Sequence, residues 1–527
     1  MSTPFLSDWL EIHARRDPDA LAIATPDRRL TYGALAARVR ELASVLAADG
    51  VVPGQRVIVA LPNTIASVVA DLALHAIGAT VVEVNRAWAP DALRTIVERS
   101  GARNAIVYSR DARLWRDAAQ ARGLRFWTVS PDDHRAMDEP GEVAGSIRDD
   151  GSVDAEAAAV RELPPWVRRD SDVALILFTS GSTGRPHGVM QTWRNLHANT
   201  RSIVEYLRLT SRDSAMLVLP LSYCYGRSVL QTHLFVGGSV VMDNRFMYPR
   251  LVLEHAMAQR CTGFAGVPVT FEIIRRQVDL EALGTLPFRY VTQAGEAMSI
   301  DTIHWARRAF APAQLFVMYG QTEATARLSY LPPEFAEKKV GSIGVPIPGV
   351  ELRIVNDEGR ELPHGAAGNL VARGDNITRG YLDEPEETAQ ILRDGWLWTG
   401  DLARRDTDGF FYHEGRAREI LKIGGHRVSP AEIEAVILGH PDAADAAVTG
   451  ASDTLLGQVA AAFVVRRRGS DLDETGLRRF CAERVPAFKV PHHVTFVDAL
   501  PRNAAGKLLR RELESLGRDK RPLEVRA

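Results

Sequence analysis

Val173 to Gly188 reads VALILFTSGSTGRPHG. The run Val173 to Phe178 is apolar and partly β-branched, which predicts a buried strand. It ends in Thr179, Ser180, Gly181, Ser182, Thr183 and Gly184, every one a glycine or a hydroxyl residue. Such a loop can bring backbone N–H groups and hydroxyls close to a phosphate, because glycine permits positive φ and close approach. That points to a nucleotide triphosphate. The pattern is not the P-loop G-x-x-x-x-G-K-[ST], since Arg185 and Pro186 follow and no Lys-Ser or Lys-Thr pair occurs. Taken alone, such a stretch after a strand is more often an ordinary turn.

A chain of 527 residues exceeds one ordinary core, so two or more domains are expected. Its 46% hydrophobic and 25% charged content is that of a soluble globular protein. With 64 basic and 66 acidic residues dispersed along it, no electrostatic reason exists to expect a nucleic acid or an anionic membrane as partner. Cys224, Cys261 and Cys481 are too widely spaced for a disulfide framework or a metal-ligand pattern. The N-terminal residues contain no continuous apolar signal core, and Val68 to Val84 is interrupted by Asp71, His75 and Glu83. The expectation is a cytoplasmic protein without a membrane span.

Upstream of the Gly-rich loop, helical spacing over Thr31 to Gly50 precedes a strand at Val57 to Leu61, a helix at Ile65 to Ile77 and a strand at Thr80 to Val84. That alternation predicts parallel α/β layers. Ser130 to Asp172 turns polar, with little periodicity, and reads as a solvated, partly mobile connection. Strand-then-turn units return at Leu217 to Pro220, Gly238 to Met242, Thr262 to Pro268 and Arg289 to Gly295. Gly341 to Glu414 reads as short strands with Gly/Pro turns, a small barrel-like layer. The remainder is long enough for a small α+β domain.

Five further segments join the first: MYGQTEA (Met318 to Ala324), GSIGVPIPG (Gly341 to Gly349), WLWTGDL (Trp396 to Leu402), GRAREILKIGGHRVSPAEIE (Gly415 to Glu434) and PRNAAGKLLRREL (Pro501 to Leu513). In this order, over nearly the whole chain, they resemble the adenylate-forming superfamily of acyl-CoA and aryl-CoA synthetases, adenylation domains and luciferases. The resemblance implies a large N-terminal adenylation domain, 1–417, of layered α/β subdomains and the barrel-like layer. A small mobile domain, 418–527, would follow, with a hinge at Arg418. Family chemistry has two steps: a carboxylate attacks the α-phosphorus of ATP, releasing pyrophosphate, and a nucleophile then displaces AMP.

By the same resemblance, Thr179 to Gly184 surround the β- and γ-phosphates. Tyr319 stacks on adenine beside Gly320, Thr322 contacts phosphate and Glu323 holds Mg²⁺. Asp401 accepts the ribose hydroxyls with Arg416 assisting, and Gly295, Glu296 and Ala297 line the adenine and acyl region. Lys507 reaches the charge developing at the α-phosphate and carboxylate. Gly424 and Gly425 leave room for a pantetheine arm, with His426 and Arg427 near the phosphate or acceptor. Read singly, Asp401 is better taken as a turn cap, Glu323 as a solvated surface carboxylate and Lys507 as a member of a basic tail with Arg502, Arg510 and Arg511; read together in family order, the functional roles are expected.

Two departures stand out. Relatives carry Pro-Lys-Gly where this chain has Pro186-His187-Gly188, which predicts weaker γ-phosphate binding partly offset by Arg185. Arg418 replaces the Asp or Lys of relatives. Both leave a non-catalytic nucleotide-binding relative as the contrary reading; a mechanical ATPase, forming ADP, lacks its lysine. The acyl pocket is expected from Tyr223, Tyr225, Gly226, Gly266 and Gln293, with Phe264 and Val267 equally readable as core. No Asp stands there to hold an α-ammonium, so a plain carboxylic acid is expected. Arg227 is either a contact for a second carboxylate or a solvated or structural cation, and Cys224 is packing. Coenzyme A is the first acceptor, a separate acyl carrier protein the second, a free amine the third; a homodimer is admitted.

Overall fold

The computed structural model describes residues 6–119, 123–130, 143–153, 166–180, 186–417, 419, 421–423, 426–453, 457–502, 508–510 and 512–513. It forms two compact units: Met1–Val340 with Gly344–Leu352 and Ala372–Leu397, and Gly341–Ile343 with Arg353–Val371 and Trp398–Ala527. Trp398 to Ala417 therefore groups with the second unit, ahead of the hinge expected at Arg418.

The first unit is built on two sheets. One has eight strands, in the order Gly380–Tyr381, Pro186–Thr192, Val173–Ser180, Thr80–Glu83, Arg56–Ala60, Asn104–Tyr108, Arg125–Ser130 and Val143–Arg148. The strand from Val173 extends through Ser180 and pairs antiparallel with Pro186–Thr192, with Thr179 opposite His187. The Gly-rich segment therefore joins a β-hairpin, in place of the strand-to-helix turn of a P-loop. Val143–Arg148 corrects the reading of 130–172 as connection only: it pairs parallel with Arg125–Ser130 and buries Ile147. An edge strand, it carries too little apolar alternation in VAGSIR to stand out from its polar surroundings.

The second sheet has nine strands, in the order Val345–Pro346, Ser329–Leu331, Gln314–Tyr319, Tyr290–Gln293, Gly263–Gly266, Ser214–Leu217, Ser239–Met242, Leu21–Ala24 and Arg29–Thr31. Its central strands are parallel, and Gly266 lies opposite Gln293, which lies opposite Val317. The loops that leave their C-terminal ends are therefore neighbours, the usual place for a ligand in an open α/β sheet.

Helix Ile65–Ile77 starts on a Thr64–Ser67 capping box and stops at left-handed Gly78. Apolar on nearly every side, it is buried at every position but Ala76 and takes Asp71 and His75 with it into the core.

A five-stranded layer, most of whose residues fall in the second unit, comprises Val350–Val355, Ala367–Gly374, Leu392–Arg393, Trp396–Arg405 and Phe411–Arg416. The second unit also has a five-stranded sheet in which Gly457–Arg466 pairs with Ala443–Asp453, Leu421–Ile423 and His493–Phe496. Helices Pro430–Leu438 and Glu474–Ala482 cover it, closing a core around Ile423, Ile433, Val448 and Leu477. The fold class is the expected one: layered α/β, a small β layer and an α+β C-terminal part. Among the described residues no helix is long and apolar enough to cross a membrane.

Candidate active site

The loop after Gln314–Tyr319 is fixed by amide side chains. Gln191 Nε2 donates to the carbonyls of Thr322 (2.9 Å) and Thr325 (3.3 Å), and Asn376 Nδ2 donates to those of Ala324 (3.2 Å) and Arg327 (2.9 Å). Thr325 sits at φ +66°, a left-handed conformation that costs about 1–3 kcal/mol for a β-branched residue. It is retained because its hydroxyl donates to the Asn376 carbonyl at 2.7 Å. Gly320 has no room for a side chain, since a Cβ there would lie 2.1 Å from the Ala326 carbonyl. The loop thus doubles back and presents Glu323, whose Oε1 accepts a 2.8 Å hydrogen bond from the Tyr381 hydroxyl.

Glu323 fits Mg²⁺ by its chemistry. It offers one carboxylate, whose Oε2 has no hydrogen-bond partner among the described residues, and a hard divalent ion that retains waters and substrate phosphates needs only one or two carboxylates. Among the described residues no group of three metal-ligating side chains forms a complete cage.

Of the phosphate loop, Thr179 is described and Ser180 is placed by its backbone. Gly181, Ser182, Thr183, Gly184 and Arg185 lie outside the described residues. His187, in the lysine position of the resemblance, is engaged: its Nδ1 faces both Glu384 carboxylate oxygens at 3.0 and 2.9 Å. Glu384 is also paired with Arg99 at 2.5 Å, and the His187 ring lies 4.9 Å from that of Tyr381. Sequence reasoning missed Glu384 and Arg99, which are 197 residues after and 88 before the histidine.

The acyl candidates gather at the neighbouring loops. Gly295 adopts φ +101°, and a Cβ there would lie 2.6 Å from the Tyr223 hydroxyl. Gln293 Nε2 donates to the Glu296 carbonyl at 2.7 Å and closes the bend that Ala297 follows. The Tyr225 hydroxyl and Thr292 Oγ1 share a 2.7 Å hydrogen bond, and burial pushes the Tyr225 phenol up to about 12. Gly226 and Gly266 are sterically required, facing the Pro220 carbonyl and Thr270 respectively. Phe264 packs on Phe271, Phe288 and Phe310 at 5.6–6.2 Å, and Val267 is buried. Burial raises the Cys224 thiol, in keeping with a packing role.

Arg227 is neither solvated nor open to substrate. It is 2% exposed, and its guanidinium holds Asp71 Oδ1 at 2.9 and 2.6 Å and Glu83 Oε2 at 3.3 Å. Sequence placed it next to the tyrosines without revealing that its helix turns it toward Ile65–Ile77. The arginine missed is Arg327, four positions after Glu323 and 3% exposed.

In the second unit, Asp401 and Arg416 are directly opposite on antiparallel strands. Arg416 Nε lies 2.8 Å from Asp401 Oδ1 and His413 Nε2 3.3 Å from the same oxygen; Asp401 is 1% exposed. His413 was not foreseen, although strand alternation puts it on the face of its register neighbours. His426 stacks on Phe488 at 4.1 Å. Lys507, Arg418, Gly424, Gly425 and the Arg427 side chain lie outside the described residues.

A carboxylate held at the ends of parallel strands in the first unit and, taken by itself, an Asp–Arg pair in the second each suit an enzyme that activates acids with a nucleotide. The family described as AMP-binding enzyme matches residues 10–382, and its C-terminal domain matches 432–507. The chain belongs to this family. A 2-succinylbenzoate–CoA ligase of Geobacillus kaustophilus is 34% identical over 97% of this chain and 98% of its own length. A feruloyl-CoA synthase of an Amycolatopsis species is 33% identical over 96% and 98%. Among solved structures, an o-succinylbenzoate coenzyme A synthetase from Bacillus subtilis in complex with ATP and magnesium ion superposes with a TM-score of 0.83. It is 27% identical and covers 96% of this chain and 99% of that one.

Proposed function

We propose that this chain adenylates a carboxylic acid at the loop carrying Thr322 and Glu323 and passes the acyl group to the thiol of coenzyme A. It is an AMP-forming acid–thiol ligase that uses ATP and Mg²⁺. The observation that carries the site assignment is the strapping of the Glu323 loop, which spends several buried hydrogen bonds and a left-handed threonine on the direction of one carboxylate.

The first step brings two anions together; at 4 Å and an effective dielectric near 20 they repel by about 4 kcal/mol. Mg²⁺ held by Glu323 would supply charge neutralisation at the phosphates. The Tyr381 hydroxyl orients that carboxylate. Thr179 to Gly184 donate to the β- and γ-phosphates, and Thr322 contacts phosphate. Tyr319 packs on adenine beside Gly320 and Gly295 to Ala297. Asp401, with one oxygen fixed by Arg416, accepts ribose hydroxyls. Lys507 meets the charge that grows as the carboxylate attacks the α-phosphorus. Residues 418–527 turn about Arg418 between the steps, and Gly424, Gly425 and Arg427 border the thiol's approach.

The acid is free of an α-ammonium requirement and its tail lies among Tyr223, Tyr225, Gly226, Gly266 and Gln293. The relatives' named acids differ among themselves and do not choose one. The enzyme works in the cytoplasm. A carrier protein is the second acceptor, and a homodimer is the assembly to test by sedimentation.

The test is pyrophosphate release with ATP and Mg²⁺ across aryl and aliphatic acids, with and without coenzyme A. The expected result is release accelerated by coenzyme A with AMP and a thioester as products. Lys507→Ala should lower adenylation by about 10²–10³-fold while ATP still binds. Saturable ATP binding without pyrophosphate release on any acid would establish the non-catalytic reading instead.

A further inference from the structure

Arg327 lines a narrow cavity inside the first unit, with Tyr225, Val229, His233, Phe264 and Met318 among its neighbours. A guanidinium stays charged at any physiological pH. Its Nε reaches Met318 Sδ at 3.4 Å, its Nη1 the Ala326 carbonyl at 3.1 Å, and its centre lies 4.1 Å from the Tyr225 ring, with the Tyr206 hydroxyl alongside. None of these carries a negative charge. Among the described residues no carboxylate pairs with Arg327, and burial of an unpaired charge is strongly unfavourable.

The rest of the cavity supplies no anion. His233 has Nδ1 on the Val229 carbonyl at 2.8 Å and Nε2 on the Tyr290 hydroxyl at 2.9 Å, and burial lowers its pKa to about 4, so the ring is neutral. The Ser228 and Thr232 hydroxyls are spent on the carbonyls of Tyr225 and Ser228. One positive charge thus stands against mostly apolar walls, on the loop that carries Glu323 and against the tyrosine expected to line the acyl pocket.

We propose that Arg327 receives a second anionic group of the acid substrate, a carboxylate or sulfonate remote from the carboxylate that is adenylated. This rests on the acid-activating function proposed above. The second-carboxylate contact that the sequence offered at Arg227 belongs instead to Arg327.

The experiment compares wild type with Arg327→Met and Arg327→Lys on matched acids: benzoate against terephthalate and 4-sulfobenzoate, and butyrate against succinate. In pyrophosphate release, wild type should favour the dianion of its best pair by about a hundredfold in kcat/KM. Arg327→Met should abolish that preference and Arg327→Lys restore part of it. A preference for the monoanion in every pair, or one that survives Arg327→Met, overturns the inference and leaves the ligase function standing. Thermal unfolding with each acid and no ATP reads the same contact without turnover: a dianion should raise the Tm of wild type but not of Arg327→Met. No Tm rise with any dianion also overturns it. Pyrophosphate release absent on all acids, with the Tm effect present, would defeat the ligase function and support the anion contact.

Discussion

Two arginines, Arg227 and Arg327, are equally buried in the first unit and live in opposite surroundings. Arg227 has two carboxylates within 3.3 Å, both from elements that sequence order places far from it. Arg327 has a ring, a sulfur and a carbonyl. In the first case the protein closes its own electrostatic circuit, so the charge serves the fold. In the second, among the described residues, the circuit is open on the protein's side, and what is proposed to close it comes from outside. Burial alone does not distinguish a structural charge from a receptive one; the counterion does.

The contrast can be broken most directly at the paired site. Arg227→Met should destabilise the protein by about 3–5 kcal/mol, because two buried carboxyls lose their cation. Arg327→Met, with no partner to strand, should unfold in urea no more easily than wild type. If both substitutions cost the same, the distinction fails. Asp71→Asn should be milder, about 2 kcal/mol at pH 7, because Glu83, relieved of the Asp71 charge that helps to keep it protonated, can release its proton and take up the charge of Arg227.

A finer test uses pH. Burial raises the Glu83 carboxyl from 4.5 to about 8, against the pull of Arg227. The folded state therefore keeps a proton that the unfolded chain releases. Stability present below the ordinary carboxylate range is lost as pH rises toward 8. Glu83→Gln should remove that decline, so urea midpoints of variant and wild type should agree at pH 5 and separate in the variant's favour at pH 8. Parallel curves would show that Glu83 is ionised in the fold.

The smallest effect concerns the carboxylate on the open side. Tyr381→Phe removes one neutral donor from Glu323, worth about 1 kcal/mol, and should raise the KM for Mg-ATP about fivefold with little change in Tm.

Most of the fold was legible because its strands are parallel and buried. Val57 to Leu61, Gly238 to Met242 and Arg289 to Gly295 are apolar runs closed by turns, and such runs announce themselves. Val143–Arg148 was not, since an edge strand needs no apolar face on both sides. The candidate site was legible where a motif is local: Glu323 sits in the short turn after its strand, and Asp401 lies within Trp396–Arg405, opposite Arg416. It was illegible where partners are distant. Nothing in Ala326-Arg327-Leu328 says that the guanidinium faces a cavity, and nothing near Arg227 names Asp71. Both facts are made by helix-on-sheet packing. Arg227 proved to be the structural cation that its place beside an aromatic cluster favours, and Tyr225, two residues before it on the helix, faces a different direction.

The hairpin Val173–Ser180/Pro186–Thr192 has a consequence of its own. A P-loop delivers its phosphates to the N-terminus of a helix, whose aligned peptide dipoles contribute roughly half a unit of positive charge. A segment that leads from one strand into another has no such macrodipole behind it. Retention of the triphosphate at the proposed site then depends on the loop's own N–H groups, on ions and on side chains, and His187, engaged by Glu384, stands where the resemblance places a lysine. Nucleotide affinity in this enzyme should accordingly fall steeply with added salt and rise with free Mg²⁺, so that the metal sets the working concentration range of ATP.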